Sequence, residues 1–353
     1  MEQKYRWHQI DVLYTIGIVL VIFGHSHSSN WSSFDDTVLQ KAIAFVYTFH
    51  MPLFFFIAGF LFQNSATFEQ QGYGKWIGEK ALRLLVPYLF WTGLALVPKY
   101  YLEHHGLDGL TPLFVLRSIL IPRESVWGHF WFIPVMFLIY MVFGAYRKIF
   151  KRWDGTWVAF IGTVITFALS FIPIKTNLLG LADLKNVALF FSLGMLFRMI
   201  YRERIFKPKR IILSLIMGVM IVALTLAAVW LWCLNSTSQI VPIATAVVML
   251  IVCWIVSELF WGNRVTKWIS KHNFTIYIFS WFFQATVMLL CEKLRLSWLI
   301  TFVLMFIAGI TGSLLLSAIV DVGPWRRNRA FCYIFGVRWQ HWQETSKKEC
   351  TST

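Results

Sequence analysis

The sequence predicts an all-α, polytopic membrane protein with about ten transmembrane helices, and three observations carry that prediction. Of its 353 residues, 58% are hydrophobic and only 14% are charged, with a mean hydropathy of +0.63. A soluble domain of this length needs far more charge to cover its exterior. The apolar residues also fall in repeated runs of about 18 to 23, and ~20 residues at ~1.5 Å each cross the ~30 Å hydrocarbon core. Finally, Lys and Arg are distributed unevenly between the segments that join those runs, as cytoplasmic loops require.

Taken in order, the runs lie near residues 10–28, 42–63, 84–102, 126–146, 155–174, 185–200, 211–233, 240–260, 273–291 and 298–320. With the N-terminus inside, the inner segments hold 24 of the 32 Lys and Arg residues. Both termini are therefore expected in the cytoplasm. Residues 1–320 read as a single helical bundle and 321–353 as a basic, Trp-containing cytoplasmic tail resting on the leaflet. The outer segment 103–125 is too apolar at its middle for a free tether, and a short helix lying on the bundle is expected there. No small-residue cleavage site follows the first run, which reads as a retained helix.

Other classes are excluded by composition. The net charge of +15 is accounted for by the inner loops, and the aromatic residues sit in apolar spans away from basic clusters, which argues against a nucleic-acid partner. The five cysteines, Cys233, Cys253, Cys291, Cys332 and Cys350, are scattered and never spaced as CxxC. They suggest neither a metal site nor a disulfide framework.

Polar residues inside the apolar runs carry the functional reading, because ionisable groups in hydrocarbon are costly. The stretch "TIGIVLVIFGHSHSSN" ends helix 1 with His25 and His27. On a helical wheel Asp11, Tyr14, Ile18 and His25 fall within a stripe about 60° wide at ~100° per residue. That stripe should face the bundle or a wet cavity. His50, in "YTFHMPLFFFIAGF", and His129, in "WGHFWFIPVMF", also fall in the outer half of the membrane. Each histidine has a plain alternative as a structural group hydrogen-bonded between helices. Pro52 removes a backbone donor near His50. In "GEKALRLLVPYLFW", Lys80 and Arg83 share one helix face; they read either as snorkelling boundary residues or as a clamp for phosphate groups.

Four phrases in order resemble the acyltransferase type 3 family of membrane O-acyltransferases, in particular its fucose-O-acetylase-like branch. They are "IDVLYTIGIVLVIFGH", "FHMPLFFFIAGFLF", "EKALRLLVPYLFW" and "FWFIPVMFLIY"; "NFTIYIFSWFFQ" is a weaker fifth. The resemblance implies transfer of an acyl group, acetyl in the simplest case, from cytoplasmic acyl-CoA to a hydroxyl of a cell-envelope sugar or glycan. No permanently bound cofactor or metal is implied. The family's motif histidine falls on His25, as general base or acyl carrier, and its basic residues before helix 3 fall on Lys80 and Arg83. Two positions depart from the family pattern. Tyr14 stands where many members carry Arg, and the double-Arg motif is reduced to Lys80 and Arg83, which shifts weight onto Arg83.

Chemistry at a thioester needs a base for the attacking hydroxyl and a donor for the oxyanion. His25 suits the first task and can alternatively carry the acyl group. Tyr14, His50, Trp131 or a backbone amide suit the second. His129 is a further acceptor-site or oxyanion candidate, and Asp11 is placed to fix a helix terminus or orient a base. The expected partners are acyl-CoA, the glycan acceptor and membrane lipid, with room for a homo-oligomer; the expected location is a bacterial plasma membrane. The alternative is a transporter or flippase of an envelope precursor with the histidines as a proton relay, although no inverted repeat is visible. A membrane sensor without catalysis has only the basic tail in its favour.

Overall fold

The computed structural model describes residues 7–27, 37–104, 109–124, 127–151, 155–174, 176–201, 211–234, 238–260, 262–322, 325 and 328–337. Within them the chain forms twelve α-helices and no strand. In order they are α1 His8–Gly24, α2 Val38–Gln63, α3 Ala66–His104, α4 Pro112–Leu120, α5 Phe132–Ile149, α6 Gly155–Ser170, α7 Leu181–Ile200, α8 Ile211–Cys233, α9 Ile240–Leu259, α10 Arg264–Lys293, α11 Trp298–Val322 and α12 Arg329–Ile334. Eight of the described helices are long and apolar enough to cross a membrane, and α1 and α6 are shorter apolar helices. These ten fall on the ten apolar runs of the sequence. A helical span satisfies every backbone group internally, which lipid cannot do for it.

Helix ends overrun the apolar runs. α3 begins at Ala66 and is broken at Gly72, where φ is 73°, and α10 begins at a capping box formed by Asn263 and Thr266. Polar flanks that continue a helix beyond the hydrocarbon leave no mark in hydropathy. The short helix expected in the outer segment is α4, capped by the Thr111 side chain, which accepts from the Phe114 N–H. It is tied to α3 by the Tyr88 hydroxyl, which donates to the Ile119 carbonyl at 3.1 Å. After α11, α12 docks against the bundle: Trp91 Nε1 donates to the Ile334 carbonyl at 2.8 Å and Thr275 Oγ1 to the Phe335 carbonyl at 3.0 Å. Residues 338–353 of the expected tail lie outside the described residues, as do several of the basic residues that set the charge asymmetry.

α2 is the centre of the bundle. Of its apolar window 78% is buried inside the protein, against 6% for α8, which faces outward. α2 runs against α7, α1 and α9. With no hydrophobic drive between helices in lipid, such pairs depend on close van der Waals fit and small residues. Gly59 of α2 and Gly194 of α7 supply that fit, because a Cβ at Gly59 would run into the Phe191 carbonyl and one at Gly194 into the Phe56 carbonyl. Phe55, Leu53 and Ile57 fill the surrounding core. A hydroxyl pair, Thr166 Oγ1 with Ser192 Oγ at 2.8 Å, joins α6 to α7. At the far end of α2, Arg147 donates to the Phe62 carbonyl at 2.6 Å and pairs with Glu69 at 2.8 Å, satisfying a helix C-terminus.

Gly194→Val should destabilise the bundle by ~1–3 kcal/mol or more, since overpacking here meets backbone. Gly78→Ala, where a Cβ meets nothing within 4 Å, should be neutral. Thermal unfolding of the two variants in detergent compares them directly.

Candidate active site

The chemistry-bearing residues that the sequence places in the outer half, His25, His50, His129 and Trp131, come together around one cavity of about 660 Å³, within the ~300–1,000 Å³ usual for small-molecule sites. Its wall is assembled from the end of α1, the first half of α2, the 3-10 turns Pro122–Glu124 and Gly128–Trp131, the starts of α7 and α9, and Tyr277 of α10. The cavity opens from the end of the bundle where α1 finishes and α2 starts, the end that the charge asymmetry of the sequence assigns to the outer face, and reaches to His50, Pro52, Phe190 and Tyr277 near the middle of their helices.

His25 follows the last residue of α1 and its N–H still donates to the Val21 carbonyl at 3.1 Å. The turn it sits on is held from two sides. Gln284 of α10, fully buried, donates from Nε2 to the Ile22 carbonyl and to Ser26 Oγ, each at 2.8 Å, and Ser26 Oγ donates to the same Ile22 carbonyl at 2.7 Å. From α2, the Tyr47 hydroxyl donates to the Gly24 carbonyl at 2.5 Å. Gly24 permits this approach, as a Cβ there would stand 2.6 Å from the Tyr47 ring.

Three of the predicted histidines line this cavity together, and Trp131 with them. The His25 and His129 rings are 5.8 Å apart between centroids, and His25 lies 6.0 Å from Tyr47, which in turn lies 5.2 Å from His50. His50 Nδ1 is 3.0 Å from the Val46 carbonyl. A carbonyl only accepts, so Nδ1 carries the proton and Nε2 of the neutral ring is an acceptor. His129 is held by a Trp281 ring stacked at 5.4 Å and by its own carbonyl, which accepts from the Tyr277 hydroxyl. Its Nε2 is buried and without a hydrogen-bond partner among the described residues. Buried orphan nitrogens are rare enough in folded proteins to call for a functional explanation.

Tyr14, Asp11, Lys80 and Arg83 do not line the cavity. They form a second group deeper in the bundle. The Arg83 charge acts on both the Tyr14 and Tyr140 phenols, and that of Asp11 on Tyr14. Lys80 Nζ stands 4.2 Å over the Tyr140 ring and 5.3 Å from that of Trp76. The polar stripe of α1 does face inward, with Asp11 and Ile18 buried. Tyr14 and His25 at its two ends serve different neighbourhoods, about 16 Å apart along the helix at ~1.5 Å per residue.

Sequence reasoning missed Arg123, Asp183, Tyr47, Asn186 and Gln239 as cavity residues. Arg123 and Asp183 are 60 residues apart and join only through tertiary structure, and no local pattern marks them. Tyr277 lay inside a phrase already singled out, "NFTIYIFSWFFQ". Among the described residues no three His, Cys, Asp or Glu side chains form a group that could hold a metal ion.

A multi-span helical bundle with a histidine-lined cavity at one end defines a membrane protein built for chemistry or transport. The family described as "Acyltransferase domain" matches residues 7–320, and the chain belongs to it. The chain is also 29% identical over 198 residues to the nodulation protein NolL of Sinorhizobium fredii, a match covering 55% of this chain and 49% of that protein. It is 30% identical over 182 residues to NolL of Mesorhizobium japonicum, covering 51% and 44% respectively. The chain thus spans about half the length of the curated relatives it matches. No solved structure matches it.

Replacing Gln284 by Leu removes the donor shared by the Ile22 carbonyl and Ser26 Oγ and loosens the last turn of α1. A loss of ~1–3 kcal/mol is expected for the two buried hydrogen bonds removed, readable as a lowered unfolding temperature, and Gln284→Glu should lose at least as much, because an ionised carboxylate has no proton for either oxygen and is buried without a partner charge.

Proposed function

We propose that the protein transfers an acyl group, acetyl in the simplest case, from cytoplasmic acyl-CoA to a hydroxyl of a cell-envelope sugar or glycan in a bacterial plasma membrane. The reading rests on family membership together with one observation, a ring of three histidines around a cavity inside an otherwise apolar bundle. In this reading His25 takes the proton of the acceptor hydroxyl as its oxygen attacks the thioester carbonyl. The tetrahedral intermediate collapses, the carbon–sulfur bond breaks, and the CoA thiolate recovers the proton from the imidazolium. If the acyl group passes first to an His25 nitrogen, the thiolate leaves in that step and the acceptor attacks the acyl-imidazole in the next. The N–H of a neutral His129 ring is a suitable donor to the developing oxyanion, whereas His50, whose Nδ1–H is bonded to the Val46 carbonyl, offers an acceptor nitrogen to the acceptor hydroxyl instead.

Lys80 and Arg83 are assigned to the CoA phosphates, which an Arg fork engages well. Their neighbour Tyr14 stands about 16 Å along α1 from His25 at ~1.5 Å per residue. That spacing suits a donor whose phosphates and thioester are joined by an extended pantetheine arm. Tyr14 and Asp11 then belong with the donor end of the site and not beside the base. Residues 1–320 are the catalytic bundle, and 321–353 extend it on the cytoplasmic side.

His25→Ala should lower acyl transfer by at least the ~10²–10⁴-fold that a general base contributes, with protein abundance and membrane insertion unchanged. Near-normal CoA release by that variant removes the assignment. Arg83→Ala should raise KM for acyl-CoA more than KM for the acceptor, as measured by steady-state CoA release. Purified protein given labelled acetyl-CoA decides the class: label moved onto a glycan supports the transferase, whereas labelled sugar crossing vesicles unmodified supports a transporter.

A further inference from the structure

Among the described residues, two formally charged side chains line the cavity, Arg123 and Asp183, and they are bonded to each other. Arg123 Nε donates to both Asp183 carboxylate oxygens at 2.8 Å, and Nη2 lies 2.7 Å from Oδ1. Asn177 Nδ2 adds a further bond to Oδ2 at 3.0 Å. Asp183 stands in the first turn of α7, where the helix dipole favours a negative charge. The Arg123 guanidinium carbon stands over the Trp131 ring, 4.2 Å from its centroid. The Asp183 side chain is only 10% exposed but that of Arg123 is 49% exposed.

Hydrogen-bond capacity at the pair is therefore lopsided. A carboxylate has about four acceptor positions, and protein donors occupy those of Asp183. A guanidinium has five N–H donors; Nε–H and one on Nη2 are used, which leaves both on Nη1 and one on Nη2. The pair thus offers donors to a ligand while its charges cancel. Besides the three histidines and Trp131, the polar lining groups are Thr48, Ser170, Asn186, Gln239, Tyr47 and Tyr277, none of which carries a formal charge.

Building on the acyl-transfer reading above, we infer that the Arg123–Asp183 pair set over Trp131 makes the histidine cavity selective for an uncharged polyol acceptor. Arg123 Nη donors bind hydroxyl and ring oxygens of the acceptor. Asp183 removes the unbalanced positive charge that would otherwise draw a carboxylate, sulfate or phosphate group, and it holds the guanidinium over the indole so that the free donors keep one direction. Charge selection of this kind acts by withholding a counter-ion from the wrong substrate. Arg123 and Asp183 are in this sense specificity-determining residues, distinct from the proton-transfer group His25.

The experiment uses the full chain in lipid nanodiscs with acetyl-CoA as donor. The acceptors are the methyl glycosides of glucose, galactose and mannose and the three matching uronic acids, which differ only in carrying a carboxylate at C6. For the unmodified protein, kcat/KM should favour the neutral sugars over the uronates by about tenfold or more, and Asp183→Asn should shift that ratio toward the uronates by a similar factor. Arg123→Gln should raise KM for the neutral sugars about tenfold with KM for acetyl-CoA unchanged. A double variant, Arg123→Gln with Asp183→Asn, leaves no unpaired charge and guards against misfolding of the single variants. It should keep the neutral preference with a raised acceptor KM.

A uronate preference in the unmodified protein overturns the inference, as does an unchanged ratio in Asp183→Asn or an unchanged acceptor KM in the double variant. It is also overturned if CoA release is accelerated by no neutral glycoside. Those failures leave acyl transfer standing. Absence of any CoA release from acetyl-CoA removes both readings.

Discussion

Hydrogen bonds at the last turn of α1 have little water to compete with. Gln284 reaches from α10 to the Ile22 carbonyl and the Ser26 hydroxyl, while Tyr47 reaches from α2 to the Gly24 carbonyl. A helix terminus exposes carbonyls that need partners, and inside a membrane protein the shortage is acute. Two neighbouring helices meet that need and, by doing so, fix the residue that follows. His25 is positioned because its backbone neighbours must be satisfied, so the structural demand of the membrane and the geometric demand of the site coincide.

α2 and α7 then decide where space is left. Between Phe49 and Phe60 every residue of α2 is buried, and the glycine contacts of Gly59 and Gly194 close the middle of the bundle to all but backbone. The same two helices separate toward the other end, where α2 presents Tyr47 and His50 and α7 presents Asp183 and Asn186 to the cavity. A bundle that is tight at its centre and open at one end can hold a ligand without losing the close van der Waals fit on which membrane helices depend.

Polar chemistry is divided between two neighbourhoods. The deeper one, around Asp11, Tyr14, Lys80, Arg83 and Tyr140, sets two basic side chains and one carboxylate among phenols. The cavity is histidine-rich, and the charges of its lining pair, Arg123 and Asp183, balance, while Lys99 stands behind the wall over the Trp127 and Trp281 rings. Coulombic attraction is strong in such surroundings, so an unpaired Arg in the outer cavity would dominate recognition there. The bidentate bond to Asp183 prevents that. On the proposed acyl-transfer reading, the two neighbourhoods would serve two substrates of different electrostatic character, a polyanionic nucleotide thioester and a neutral polyol.

Much of this was legible in the sequence. Ten apolar runs set eight helices of membrane length and the two shorter apolar helices α1 and α6, because hydrocarbon tolerates little else over ~20 residues. The inward stripe of α1 and the pairing of Lys80 with Arg83 followed from the ~100° turn per residue. His25, His50, His129 and Trp131 stood out as polar or amphipathic groups in apolar surroundings, and they share one cavity. Helix ends did not stand out, since polar flanks such as Ala66 to Arg83 continue a helix without changing hydropathy. Nor did the separation of Tyr14 from His25, which share a stripe but lie three turns apart. Arg123 and Asp183 were invisible because each looks like an ordinary charge in an outer segment. Their pairing across 60 residues, the orphaned His129 nitrogen and the anchoring of α1 by Gln284 depend on how helices meet. That is decided by steric fit between distant residues and not by the local periodicity of any one of them.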